Sequence, residues 1–191
     1  MSTFTVAILV GSLRKESNNL KLAKALSKLG GGRFEAKLIQ IGDLPLFNQD
    51  LEADFPAAAQ RMKKEIEGAD AVLFVTPEYN RGMPGVLKNA IDWASRPYGK
   101  NSFAGKPGAI VGTSPGAIGT AVAQHNLRPT LAYLDIALLG QPEIYLQFKD
   151  GLIDFDGNIS NPDTQKFLQG FVDKFCAWCE RHAGAKQAKA A

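Results

Sequence analysis

The strongest constraint in the chain is a hydrophobic period that switches repeatedly from strand-like to helix-like. Phe4 to Val10 (FTVAILV) is a continuous apolar run rich in β-branched residues, the pattern of a strand covered on both faces. It stops at Gly11-Ser12. After a polar loop, Leu22, Leu26 and Leu29 return at helical spacing, with Asn18 or Asn19 as N-cap and Gly30-Gly31-Gly32 as the stop. The switch recurs with Phe34 to Ile41 as strand, a long loop to Phe55, and a helix from Pro56 to Gly68. Ala71 to Thr76 (AVLFVT) reads as the third strand and Pro84 to Trp93 as its helix. Gly108 to Thr113 is the fourth strand, followed by a helical stretch from about Ala117 to Leu138 that Pro129 should kink. A short strand at Glu143 to Leu146 and a helix from Pro162 to about His182 close the series, with Lys149 to Ser160 a turn-rich excursion between them. Alternation of this kind predicts an α/β fold, a five-stranded parallel sheet with helices on both faces.

The 191 residues fit one domain, with 183–191 reading as a disordered Ala-rich tail. With 45% hydrophobic and 21% charged residues, a disordered, collagen-like or coiled-coil chain is excluded. The net charge is +3, and Lys186 and Lys189 of the tail contribute to it, so no concentrated basic face points to nucleic acid or a membrane surface. The apolar runs are far shorter than the ~18 residues a membrane helix needs. The N-terminal run has neither a positive region before it nor a small-residue cleavage site after it, and does not read as a signal peptide. Two cysteines and no metal-ligand spacing make a reducing cytoplasm the expected compartment and leave no metal site expected.

In an open parallel sheet, ligands bind beyond the carboxyl ends of the strands, so the loops after strands one, three and four carry the chemistry. The first, Gly11 to Asn19, offers the hydroxyls of Ser12 and Ser17, the amides of Asn18 and Asn19, the Arg14 guanidinium and a helix start. Those donors suit a phosphate dianion. Neither G-x-G-x-x-G nor a glycine-rich loop ending in Gly-Lys-Ser/Thr is present, which directs the reading to a terminal phosphate monoester. The second loop, Thr76 to Gly85, has a backbone fixed by Pro77 and Pro84, with Tyr79 as a flat face and Asn80 as an amide for a heteroaromatic edge.

The third loop, Gly112-Thr-Ser-Pro-Gly-Ala-Ile-Gly119, matches the literal G-x-S-x-G of a nucleophile elbow, with His125, Asp135 and His182 downstream. A serine hydrolase using Ser114 is therefore a rival. It is a weak one, because the residue after the serine must give its N–H to the oxyanion and here it is Pro115. Ser114 is better placed lining a ligand. Cys176-Ala-Trp-Cys179 has redox spacing but falls late in the last helix on the stripe of Leu168, Phe171, Val172 and Phe175, where helix packing is the better reading.

The segments GSLRKESNN, LPLFNQDLE, TPEYNRGMPGVLKNAIDWASRP and SPGAIG together resemble the NADPH-dependent FMN reductase family, over nearly the whole chain from Thr3 to Arg181. The resemblance implies a flavodoxin-like sheet in the order 2-1-3-4-5, FMN as cofactor and NAD(P)H as co-substrate. It implies reduction of quinones, and in some members chromate, by ping-pong two-electron transfer, and assembly as a homodimer or homotetramer. Leu44 to Glu52 and the fourth helix are the expected contacts. Carried over by position, Ser12, Arg14, Ser17, Asn18 and Asn19 would hold the FMN phosphate. Pro77, Glu78, Tyr79 and Asn80 would wall the isoalloxazine, and the loop containing Ser114, Gly116 and Gly119 would meet its other edge. No side chain is expected to be catalytic, since the flavin carries the chemistry. Arg81-Gly82-Met83 stands where the family pattern has Tyr-Ser-Ile or similar residues, and Arg81 is expected to bind anionic substrate beside the ring. A flavodoxin-like one-electron carrier is the alternative within flavin chemistry.

Overall fold

The computed structural model describes residues 4–190, with side chains through His182. Six strands form one sheet: β1 (Phe4–Val10), β2 (Phe34–Leu38), β3 (Ala71–Val75), β4 (Pro107–Ser114), β5 (Ala137–Leu138) and β6 (Ile144–Gln147). All pairings are parallel, in the order β2-β1-β3-β4-β5. This is the flavodoxin-like order. The fifth lane is shared: β5 pairs the start of β4 at Pro107 and Gly108, and β6 pairs its end from Val111 to Ser114.

The helices are α1 (Asn18–Leu29), α2 (Ala57–Glu67), α3 (Gly85–Ala94), α4 (Ala121–Tyr133) and α5 (Pro162–Ala190). Alternate strand residues divide the core into two halves, as the period-2 side-chain direction of a strand requires. Val6, Ile8, Leu73, Val75 and Val111 pack under α1 and α5, against Leu22, Leu26, Phe171 and Phe175. Ala7, Leu9, Val72, Phe74 and Ile110 pack under α2, α3 and α4, against Met62, Ile66, Leu87, Trp93 and Leu127. Each of these side chains is buried. Cys176 and Cys179 are free and buried in the first half, and burial pushes both thiols up from their ordinary range. They are packing residues, as their place on the α5 stripe suggests.

Several boundaries differ from the sequence expectation. β2 ends at Leu38 instead of Ile41, its last paired residue being Leu38 opposite Ile8. Ser17, not Asn18 or Asn19, caps α1: its Oγ accepts the Leu20 N–H at 3.2 Å. α4 begins at Ala121 instead of 117, because the segment before it turns through Gly119 and Thr120, both left-handed. It ends at Tyr133 because Asp135 takes φ 57°, which releases Ala137 and Leu138 to pair with β4 as a strand piece not foreseen in the sequence. The last helix continues past His182 to Ala190, and the side chains of 183–191, expected as a tail, lie outside the described residues. No helix among the described residues is long and apolar enough to cross a membrane.

Candidate functional site

A cleft of about 170 Å³ opens at the carboxyl ends of β1, β3 and β4 and is lined by all three loops singled out in the sequence. Its first wall is the turn between β1 and α1. Ser17 is buried and caps the helix, Ser12 Oγ accepts the Arg14 N–H at 3.4 Å, and Arg14 donates one Nη to the Glu16 carbonyl. Ser12, Arg14, Ser17, Asn18 and Asn19 all face the cleft. The first turn of α1 holds no acidic residue, so the unpaired N–H groups and positive dipole end of the helix open onto the cleft uncompensated.

The second wall follows β3. Pro77, Glu78 and Tyr79 line the cleft, and the chain then reverses in a tight turn closed by Tyr79 N–H to Gly82 O (3.0 Å) and Gly82 N–H to Tyr79 O (2.9 Å). Asn80 and Arg81 occupy its centre with φ 50° and 63°, the left-handed pair such a two-residue turn demands. Two neighbours brace it. Asn126 of α4 donates to the Arg81 carbonyl at 2.8 Å, and Glu78 receives Arg81 Nη1 on one oxygen at 3.0 Å and the Ala123 N–H on the other at 3.1 Å. The partly buried carboxylate thus caps α4 from outside the helix. Asn80 and Arg81 are exposed at the rim and do not line the cleft; Arg81 is tied to Glu78 where the sequence suggested a free cation beside a ring.

The third wall is the end of β4. Ser114 lines the cleft with Pro115, which the sequence marked as lacking an oxyanion N–H, and with Thr113, to which the sequence reading gave no role. Gly116 and Gly119 do not line it. Gly116 is open, a methyl there meeting no atom nearer than Ser114 Oγ at 3.7 Å, whereas at Gly119 a methyl would lie 2.4 Å from the Tyr145 carbonyl carbon. Gly119 is therefore a packing residue with φ +57° that lets the loop rest on β6. The Ser114 hydroxyl donates to the Gly116 carbonyl at 3.3 Å. His125 lies over Tyr145 and His182 reaches the Trp178 carbonyl, so neither forms a triad with Ser114, and the hydrolase reading fails on geometry.

The LPLF segment between β2 and α2 is fixed by α3, a role its sequence did not disclose. Trp93 Nε1 and Asn89 Nδ2 both donate to the Pro45 carbonyl (2.8 and 2.9 Å), and Asn89 Oδ1 accepts the Phe47 N–H at 2.7 Å. Phe47 and Phe55 each meet the Trp93 ring edge-on at 5.0 Å. The two most distinctive segments of the chain are thus each other's partners.

The donor set tests the expected cofactor. One end of the cleft gathers two hydroxyls, an amide, a guanidinium and a helix start, and its one carboxylate, Glu78, is engaged on both oxygens. The other end is a flat wall of Pro77, Tyr79 and Pro115. A phosphate monoester carrying a planar ring fits that polarity. A larger groove of about 760 Å³ runs along α5 between Gln141-Pro142 and Phe167; its cations, Lys166 and Lys174, share it with the Asp163 carboxylate, and it lies away from the three strand-end loops.

Comparison with known proteins gives the family. Residues 4–150 match the family model described as NADPH-dependent FMN reductase. The chain is 56% identical over 173 residues to a 2-hydroxy-1,4-benzoquinone reductase of a Burkholderia species, covering 91% of this chain and 94% of that protein. It is 52% identical over 176 residues to a quinone reductase of Pseudomonas putida, covering 92% and 94%. Among solved structures, FerB, a flavoenzyme NAD(P)H:(acceptor) oxidoreductase from Paracoccus denitrificans, superposes with a TM-score of 0.91 at 53% identity, covering 94% of this chain and 99% of that one. The chain belongs to the NADPH-dependent FMN reductase family.

Proposed function

We propose that this protein is an FMN-dependent NAD(P)H:quinone oxidoreductase whose cofactor phosphate sits at the start of α1 and whose ring lies between the Pro77–Tyr79 wall and the Ser114 loop. The observation that carries the reading is the polarity of the one cleft that joins the three strand-end loops, with donors at one end and flat apolar faces at the other. FMN held by these residues would supply the two-electron chemistry between NAD(P)H and the quinone.

The chain's own residues bind and orient. Ser12, Arg14, Ser17 and Asn18 supply neutral and charged donors to the phosphate, and the α1 dipole adds to their field. Pro77 holds the ring wall because its fixed φ and missing N–H turn the chain away from the sheet. Tyr79, half exposed at the rim, offers an aromatic face to a planar substrate entering from solvent. In this proposal donor and acceptor both reach the ring past the Tyr79 rim and would occupy it in turn, as a ping-pong cycle requires.

Arg81 at the rim gives anionic acceptors such as chromate a cation to approach, though its pairing with Glu78 offsets part of that charge. A one-electron carrier fits less well, since a net charge of +3 is opposite in sign to the acidic surface with which such a carrier docks basic partners. Assembly as a homodimer or homotetramer belongs to the same proposal. Leu46, 84% exposed on the loop held by α3, is the residue such a contact would cover, and light scattering of the purified protein decides the order.

The direct test is the cofactor. Heat-released ligand resolved by chromatography should be FMN, and the purified protein should couple NAD(P)H oxidation to reduction of a benzoquinone. Release of FAD, or failure to bind flavin on reconstitution, would overturn the reading.

A further inference from the structure

The β3–β4 ladder ends where the cleft begins, and a side chain continues it. The last rung is Val75 with Val111, followed by the Thr76 N–H to the Val111 carbonyl at 2.9 Å. In a parallel pair the next rung on the same side of β4 falls two residues on, at Thr113. β3 cannot supply it. Its chain has turned away at Pro77, and Thr113 would be left with a buried N–H and carbonyl at the floor of the cleft.

Asn19 of α1 stands in the empty position. Its Oδ1 accepts the Thr113 N–H at 3.0 Å and its Nδ2 donates to the Thr113 carbonyl at 2.9 Å, the donor and acceptor pair of a peptide group. Both residues are buried, at 3% and 1% exposure. On one side Asn19 is followed back along the chain by Asn18 and Ser17, which face the phosphate end of the cleft. On the other, Thr113 is followed by Ser114 and Pro115, which form the ring wall. A single amide therefore sets the distance between the two halves of the site.

We propose that Asn19 is a positioning residue that registers the phosphate loop against the ring loop by completing the sheet with its side chain, and that it is not itself a phosphate ligand. The proposal rests on the assignment of FMN to this cleft and separates from it experimentally. A phosphate ligand affects only flavins that carry a phosphate, whereas a pin that lands beside the ring wall loosens the site before any flavin binds and weakens riboflavin as well as FMN.

The experiment compares Asn19→Ala and Arg14→Ala with the parent protein, stripped of flavin and titrated with FMN and with riboflavin, which lacks the phosphate. Backbone amide exchange is followed in the flavin-free state. With two buried hydrogen bonds removed, Asn19→Ala should weaken both FMN and riboflavin, FMN by roughly tenfold or more, and the Thr113 amide should exchange at least about tenfold faster. Arg14→Ala should weaken FMN alone. Asn19→Ser, which keeps a polar side chain but cannot span both Thr113 atoms, repeats the measurement if the alanine variant does not fold. Loss of FMN affinity with riboflavin unchanged makes Asn19 a phosphate ligand and overturns the proposal, as does an unchanged Thr113 exchange rate. If the parent protein binds neither flavin, the functional reading fails, and the exchange rates alone still decide whether Asn19 pins the ladder.

Discussion

Gly112→Ala is the substitution whose outcome depends most directly on the geometry of the strand-end loop. An added Cβ would lie 2.1 Å from Thr120 Oγ1 and 2.3 Å from the Thr76 carbonyl oxygen, about 1 Å inside ordinary contact with both. Neither neighbour can retreat. Thr76 is main chain at the end of β3, still bonded to Val111, and Thr120 is fully buried with φ 74° at the start of α4. Overpacking of a filled core costs typically 1–3 kcal/mol, and with a backbone atom as the obstacle the cost should reach about 3 kcal/mol. At roughly 2–4 °C per kcal/mol for a chain of this size, Tm should fall by about 6–12 °C. Gly116→Ala is the internal control: its methyl would meet only Ser114 Oγ at 3.7 Å, and its effect should stay within about 0.5 kcal/mol. Urea denaturation of the flavin-free proteins measures both. A Gly112→Ala loss no larger than that of Gly116→Ala would show that the loop can shift and that the close approach does not hold it.

Other substitutions probe the site and the core. Arg14→Ala should weaken FMN binding by about tenfold through loss of a charge-assisted hydrogen bond without altering stability, whereas Ser17→Ala should do both, because it also removes the α1 cap at a cost of about 1 kcal/mol; fluorescence titration and denaturation separate the effects. Arg81→Ala should raise KM for chromate by roughly two- to fivefold at low ionic strength and leave kcat for a neutral quinone intact, as expected of an exposed, partly compensated cation; equal KM values would assign Arg81 to bracing the turn alone. The Cys179 thiol is held above its ordinary range chiefly by burial, so its share of stability is complete below the unfolded thiol pKa of about 8.5 and is lost as pH rises beyond it. Stability should fall between pH 9 and 11 (roughly), and Cys179→Ala should flatten that limb.

The parts of the fold legible in the sequence were those that one local rule decides. FTVAILV and AVLFVT are apolar on both faces, as an interior parallel strand requires, and Val6 to Leu9 and Ala71 to Thr76 are buried. Pro56 and Gly68 bracket α2 where the sequence placed its limits, because proline and glycine act on their own backbone. The misplaced boundaries were settled by distant contacts. Asn18 and Asn19 are both good capping residues, and Ser17 takes the cap because Asn19 is engaged by Thr113, a partner 94 positions away. β5 is two residues long, too short for a periodic signal, and exists because Asp135 adopts a left-handed conformation.

The candidate site divides along the same line. The sequence identified loops rich in donors, yet it could not tell side chains that face a ligand from those that face one another. Ser12 and Arg14 bond within their own loop and remain at the cleft, whereas Asn19 and Glu78, equally polar, are consumed by Thr113 and by Ala123 with Arg81. The distinction follows from burial. A polar group removed from water must find a partner inside the protein, so the buried members of a polar loop become struts and the exposed members remain free for the ligand. Glu78 and Asn19 each bridge two strand-end loops, and Thr113, only the variable position of the G-x-S-x-G match, matters because it is the point where such a strut lands. The signal that could have found it is positional: β4 outlasts β3, whose chain leaves the ladder after Thr76 at Pro77.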